Sequence, residues 1–214
     1  MNIRTGIVAI TAPCAITIAL IAAVRWKHAH DERVLAESLA FQSTRQAAVE
    51  EIVSDPARNI PILLSWTRRP PSYVEDSQRL RLGMVNAFAE LKTKEAIPFL
   101  VGCISWYPYG VSFAPWLKVA DAVERQLPCV GALIQIGPDA SRYLIRRTLK
   151  DVHGEDRLAA IFVVSRIRGV PEAEAFLRQA RDLADKESSR ADEPFRADER
   201  IRAEAGLRFL GFDR

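Results

Sequence analysis

Residues 79–106 read RLRLGMVNAFAELKTKEAIPFLVGCISW, and this stretch decides how the chain folds. Leu80, Met84, Ala87, Phe88 and Leu91 recur at helical spacing and line one face. Thr93 and Lys94 mark a turn, after which Ala96, Ile97, Leu100, Cys103 and Ile104 line a second face at the same period. The spacing predicts two short helices joined tightly. Such a hairpin cannot bury its apolar faces alone and needs a neighbour of the same kind. The chain supplies neighbours on both sides.

Upstream, residues 30–54 read as one long helix rich in Ala, Glu, Gln and Arg, with Val34, Leu35, Leu39, Ala48 and Ile52 as a modest apolar stripe. Asp55-Pro56 ends it. A second helix carries Ile60, Leu63, Leu64 and Trp66, and Arg68-Arg69-Pro70-Pro71-Ser72 breaks the chain before the central hairpin. Downstream, a helix over about 117–136 carries Val119, Val123, Leu127, Val130 and Leu133, with Pro128 placed to kink or split it. Gly137-Pro138-Asp139 makes a turn. A helix with Ala140, Tyr143, Leu144 and Leu149 follows, then one with Leu158, Ile161, Phe162, Val164 and Ile167 that Gly169 ends. Pro171 opens its partner, which carries Ala173, Phe176, Leu177, Ala180 and Leu183. A charged stretch leads to a last helix with Ile201, Ala205, Leu207 and Leu210. No segment alternates as a strand does, so the expected class is all-α.

The amino-terminal segment has its own physics. Residues 5–24, TGIVAITAPCAITIALIAAV, hold no charge. As a helix they span about 30 Å, the thickness of a bilayer core. Arg4 precedes the run, while Arg25, Trp26, Lys27 and His28 follow it and suit the headgroup level. A cleaved secretory signal and an uncleaved single-pass anchor compete. Cleavage needs small residues one and three positions before the cut. Ala22 has Leu20 at its minus-three position, Ala23 has Ile21 and Ala29 has Lys27, which favours the anchor. Pro13 before Cys14 speaks against a lipoprotein signal. The basic residues after the span favour a domain on the cytoplasmic side, while the short tail before it favours export; the extracytoplasmic side is slightly preferred. The expected organisation is an anchor over 1–27, a long juxtamembrane helix over 28–55 and a helical domain over 56–214.

The hairpins recur. Ile60-Pro61-Ile62-Leu63 matches Ile97-Pro98-Phe99-Leu100 at an offset of 37 residues, and Val85 to Leu91 matches Val130 to Ile136 at an offset of 45. Unequal spacing with a constant helix–turn–helix unit is typical of an α-solenoid. AFAELKTKEAIPFLVGCI resembles a HEAT-like repeat of the bacterial kind related to phycobilisome-lyase repeats; GALIQIGPDASRYLIRRTL and FVVSRIRGVPEAEAFLRQA are weaker copies. The resemblance implies a right-handed α-solenoid of helical hairpins, preceded here by one transmembrane helix. It further implies a protein-binding surface without shared catalytic residues. WYPYGVSFAPW, residues 106–116, stands outside the repeat.

That insertion is the best candidate for a partner surface. Two prolines and a glycine forbid a regular helix, and Trp106, Tyr107, Tyr109, Phe113 and Trp116 have the amphipathic rings of interface anchors. The competing expectation is that they fold back and cap the gap between hairpins, since large exposed apolar patches are rare without a partner. A third is that Trp and Tyr dip into headgroups. Arg142, Arg146, Arg147 and Lys150 form a basic cluster suited to an acidic partner or anionic lipid, or simply a solvated face. His28 and His30, two apart, do not share a helix face, so a metal site there is not expected, and His153 beside Gly154 reads as a turn residue. Cys103 and Cys129 read as buried small hydrophobes, with a disulfide between neighbouring helices as the alternative.

Apolar residues make up 49% of the 214, so a core is expected rather than disorder. The formal charge of +3, from 30 basic and 27 acidic residues, does not call for nucleic acid. No phosphate loop, nucleophile elbow or zinc-protease helix occurs. The expected function is therefore a non-catalytic, membrane-anchored scaffold or accessory subunit of a membrane complex, with no cofactor. The alternatives are a lyase-like or chromophore-handling protein and a periplasmic structural spacer.

Overall fold

The computed structural model describes the backbone of residues 5–108, 123–124, 126–147, 154–188 and 195–209. Side chains are described from residue 20 onward within that set, apart from 146–147, 154–155, 183–188, 195–200 and 202. Ten α-helices account for most of it: α1 (Thr5–Ala40), α2 (Arg45–Ser54), α3 (Pro56–Arg68), α4 (Ser77–Leu91), α5 (Ile97–Gly102), α6 (Pro128–Ile136), α7 (Pro138–Arg147), α8 (Gly154–Arg168), α9 (Val170–Ser188) and α10 (Phe195–Phe209), with a 3-10 turn over Lys94–Ala96. No strand occurs among the described residues, and the chain is all-α.

The central hairpin forms as its spacing predicts. Asp76 caps α4 by accepting the Arg79 amide at 2.9 Å, satisfying one of the free donors of the first turn. Leu80, Met84, Ala87 and Phe88 are buried, and Leu91 is half-buried. Lys92 then takes the left-handed conformation, φ 49°, and its amide bonds back to Ala89 O. Pro98 sits in the first turn of α5, where its missing N–H costs nothing. Ile97, Leu100, Cys103 and Ile104 complete the second buried face.

Other punctuation also acts where the sequence places it. Asp55 caps α3, accepting from the Arg58 amide at 3.2 Å. Pro128 splits its helix: Val123, Glu124 and Gln126 are helical, Leu127 is not, and α6 starts at Pro128. Val119 lies outside the described residues, while Val123, Leu127, Val130 and Leu133 are all buried. Gly137 (φ 80°) and Gly169 (φ 91°) adopt the positive φ that ends α6 and α8 without the strain a side chain would bring.

Three expectations are corrected. Residues 30–54 are not one helix. The helix that begins at Thr5 runs through to Ala40, breaks over 41–44, and resumes as α2. The break is held by side chains that satisfy the free carbonyls at the end of α1: Thr44 Oγ1 donates to Ser38 O at 2.8 Å, and Arg45 donates through Nε to Leu39 O at 2.9 Å and through Nη2 to Ala40 O at 3.1 Å. Val34 is exposed, while Leu35, Leu39, Ala48 and Ile52 are buried. Second, the two Ile-Pro pairs do not occupy equivalent places. Pro98 opens α5, but Pro61 lies inside α3, so the Ala57 carbonyl receives no bond from position 61. Third, Ile201 is exposed; α10 turns Ala203, Gly206 and Leu207 inward. At Gly206 an added Cβ would come within 2.7 Å of Ile161 Cδ1 and 3.0 Å of Leu177 Cδ1. Closeness of approach, not residue size, therefore chooses the face.

The helices pack in a consistent order. α1 and α2 both lie on α4. α4 packs on α6, α6 on α8 and α8 on α10, while α5 packs on α6 and α7, α7 on α8, and α9 on α8 and α10. One apolar core runs from Leu35 of α1 to Ala173 of α9, and Ile161, Leu177 and Leu207 form a second small cluster where α8, α9 and α10 meet. The last turns of α1 are part of this core. Among the described residues no helix is long and apolar enough to cross a membrane. Most side chains of the apolar run 5–24 lie outside those residues; Leu20, Ile21, Val24 and Trp26, at its end, are exposed.

Candidate functional site

α5 is only six residues long, and the chain leaves it through successive tight turns. The amides of Cys103, Ile104 and Trp106 bond to Leu100 O, Val101 O and Cys103 O. These turns bring Trp106 and Tyr107 back against the core, where both are half-buried. Two polar contacts fix the place. The exposed Arg81 of α4 sets its guanidinium carbon 5.3 Å from the centre of the Trp106 ring, a cation–π contact. Next to it, the Ser105 hydroxyl donates to the Asp156 carboxylate, tying the end of α5 to α8.

Trp106 and Tyr107 thus sit at a seam between α4, α5 and α8. They are folded back in part, with some surface left open. Tyr109, Phe113 and Trp116 lie outside the described residues, so only two of the five aromatic candidates are brought together here. In the basic cluster, Arg142 is exposed and pairs with Asp139 at 3.0 Å, a surface ion pair worth little. Arg146, Arg147 and Lys150 lie outside the described side chains, as does His153.

Directly beneath the seam lie Cys103, at the carboxyl cap of α5, and Cys129, in the first turn of α6. Both are buried and both are free thiols. The Cys103 sulfur donates to Phe99 O at 3.3 Å and shares Leu100 O at 3.6 Å. Burial pushes the Cys129 thiol well above its ordinary range. Hydrogen bonding to Cys103 and the proximity of that sulfur add to the rise, and the Arg81 charge opposes it.

Elsewhere, His30 stacks on Trp26 with ring centres 5.6 Å apart, a contact between residues one helical turn apart on an exposed face. Among the described residues no group of three or more His, Cys, Asp or Glu could hold a metal ion. An open groove of about 590 Å³ lies between the end of α1, Tyr73 and the start of α4. In it Arg33 sits 5.7 Å from the Tyr73 ring, and burial followed by the charges of Glu32 and Glu37 raises the Tyr73 phenol. A smaller groove of about 300 Å³ holds His30, Asp31, Glu51, Arg58 and Asn59, with Arg58 paired to Asp31 at 3.0 Å.

The sequence named Trp106 and Tyr107 but not their clamps. Arg81 and Asp156 are 25 and 50 positions away from Trp106, and neither falls on a periodic apolar face. Comparison of the chain with protein-family models, curated proteins and solved structures returns no match.

Proposed function

We propose that the chain is a membrane-anchored, non-catalytic scaffold or accessory subunit that binds a protein partner through a right-handed α-solenoid of HEAT-like hairpins. One observation carries this reading: α1 is a single helix from Thr5 to Ala40, about 54 Å long, that joins an uncharged run to a packed core without a hinge. Its last turns are locked into that core by Leu35, Ala36, Leu39 and Ala40. Its earlier part presents Leu20, Ile21, Val24 and Trp26 to the outside, an arrangement that lipid would satisfy. Leu35 follows Trp26 by nine residues, or about 13 Å of helix. With Trp26 at the headgroup level, the domain would stand close to the membrane surface on a stiff post.

The solenoid is supported by the way alternate helices pack, α4 on α6, α6 on α8 and α8 on α10. Membrane anchoring predicts that the full chain stays with native membranes through an alkaline carbonate wash. The extracytoplasmic side predicts that a protease added outside digests the domain. Full protection in cells whose outer layer has been permeabilised would place it inside instead.

The proposed partner contacts are Trp106 and Tyr107 at the seam together with Tyr109, Phe113 and Trp116 of the same stretch of sequence, and Arg142, Arg146 and Arg147 towards an acidic partner or lipid. A tagged chain drawn from gently solubilised native membranes is expected to carry a stoichiometric protein companion. The triple variant Trp106→Ala, Tyr109→Ala, Trp116→Ala should lose that companion while keeping its helical circular-dichroism signal. A chain that emerges alone, with its anchor intact, would overturn the scaffold reading.

A further inference from the structure

The proposed partner binding makes no use of the two thiols beneath the seam. We propose that Cys103 and Cys129 are a reversible redox pair, closing to an intramolecular disulfide by exchange with a low-molecular-weight disulfide.

Three features of the geometry support this. Cys103 caps α5 and Cys129 lies in the first turn of α6, two helices that pack directly, and the Cys129 thiol feels a hydrogen bond to Cys103. Bond formation then needs the two sulfurs to close to the S–S bond length of about 2.0 Å. Cys103 is also placed to make that approach. It caps α5 with non-helical backbone (φ −127°, ψ 26°), beyond the last regular turn, so its movement unwinds no helix. Third, the pair is unequal. Cys129 is wholly buried, while Cys103 retains 9% of its surface.

This inequality sets the order of the chemistry. The Cys103 thiolate attacks one sulfur of the external disulfide, forming a mixed disulfide and expelling the first small thiolate. Cys129, protonated at rest, then loses its proton and attacks the Cys103 sulfur, expelling the second. Two protein S–H bonds and one external S–S bond are lost; one protein S–S bond and two small thiols are gained. The protons of the two cysteines end on the released thiols, and no other oxidant is needed. An oxidising compartment would supply such disulfides.

The bond would close a loop of residues 104–128, which contains the whole aromatic stretch 106–116. Any effect on partner capture rests on the functional reading above; formation of the bond does not.

The test uses the folded full chain in mild detergent, with Cys14 replaced by Ala to remove the third thiol. Treated with glutathione disulfide, it should lose about 2 Da, for the two hydrogens, and both alkylation sites. Proteolysis should yield one cross-linked peptide joining Cys103 and Cys129, and dithiothreitol should restore both thiols. Cys129→Ser should trap one glutathionyl group at Cys103, about tenfold faster than Cys103→Ser traps one at Cys129. Thiols that stay free in the folded chain while the urea-unfolded chain oxidises would overturn the proposal. That result would decide the matter even if a serine variant failed to fold. A disulfide that forms in a chain capturing no partner would leave this proposal standing and remove the scaffold reading alone.

Discussion

Phe88→Ala is expected to lower the stability of the chain by about 3–5 kcal/mol, the largest effect of any single truncation in the central hairpin. Phe88 has no exposed surface and meets the ring of Phe99 edge-on, with centres 5.9 Å apart and planes at 62°. The loss therefore combines three terms: transfer of the ring, the cavity left behind, and the aromatic pair, which adds about 0.5–1.5 kcal/mol beyond area. Relaxation around the cavity is restrained. The Phe88 carbonyl accepts the Thr93 amide at 3.4 Å and so helps to close the turn into α5, while α4 is held by α1, α2 and α6 together. In a chain of this length each kcal/mol corresponds to about 2–4 °C. Thermal unfolding of the full chain in mild detergent, followed by helical circular dichroism, should shift down by about 6–20 °C. Phe88→Leu should cost less than half as much, and Glu90→Ala, exposed on the same helix, should stay within about 0.5 kcal/mol. A Phe88→Ala variant within 2 °C of the parent would mean that this face is not core.

The features visible in the sequence were those with a local cause. Apolar positions at helical spacing gave the faces of α4 to α9, because burial on one side of a helix repeats with the helix period. Asp55, Pro128, Gly137 and Gly169 gave boundaries, because a capping carboxylate, a missing N–H or a required positive φ is a property of the residue itself. The break at 41–44 had no such cause. Its sequence, Phe41-Gln42-Ser43-Thr44, contains neither Gly nor Pro, and it exists because Thr44 and Arg45 reach back to the carbonyls of Ser38, Leu39 and Ala40. Lys92 likewise gives no warning that it will take a left-handed conformation, which usually falls to Gly or Asn. The candidate site was half legible. Composition exposed the aromatic stretch, but the Arg81–Trp106 contact, the Ser105–Asp156 bond and the nearness of Cys103 to Cys129 arise from how the helices stack.

Gly83→Ala tests that stacking, because local and tertiary physics predict opposite signs. Inside a solvent-facing helix the change would stabilise by about 0.5–1 kcal/mol, since glycine loses the most backbone entropy on folding. Here α1 crosses α4 at this residue. A Cβ on Gly83 would lie 2.6 Å from the Leu39 carbonyl oxygen, 2.9 Å from Leu39 Cβ and 3.1 Å from its carbonyl carbon. The first and third of these are backbone atoms that no rotamer change can move. The Leu39 oxygen is held in place from the other side by Arg45 Nε at 2.9 Å. Relief requires α1 to shift away from α4 and open the packing of Leu35, Leu39 and Ala40. Overpacking of this kind costs about 1–3 kcal/mol and outweighs the entropy gain. The expected net loss is about 1 kcal/mol, a fall of about 2–4 °C, with Gly83→Val larger still. Gly102→Ala is the control, because nothing lies within 4 Å of a Cβ there; it should be neutral or slightly stabilising. Truncating Leu39 to Ala should not rescue Gly83→Ala, because the obstructing oxygen belongs to the main chain. The same variant should become more sensitive to proteolysis at 41–44, where the post formed by α1 joins the domain. Stabilisation by Gly83→Ala would show that α1 does not approach α4 this closely, and with that the rigid coupling between the amino-terminal run and the domain would be lost.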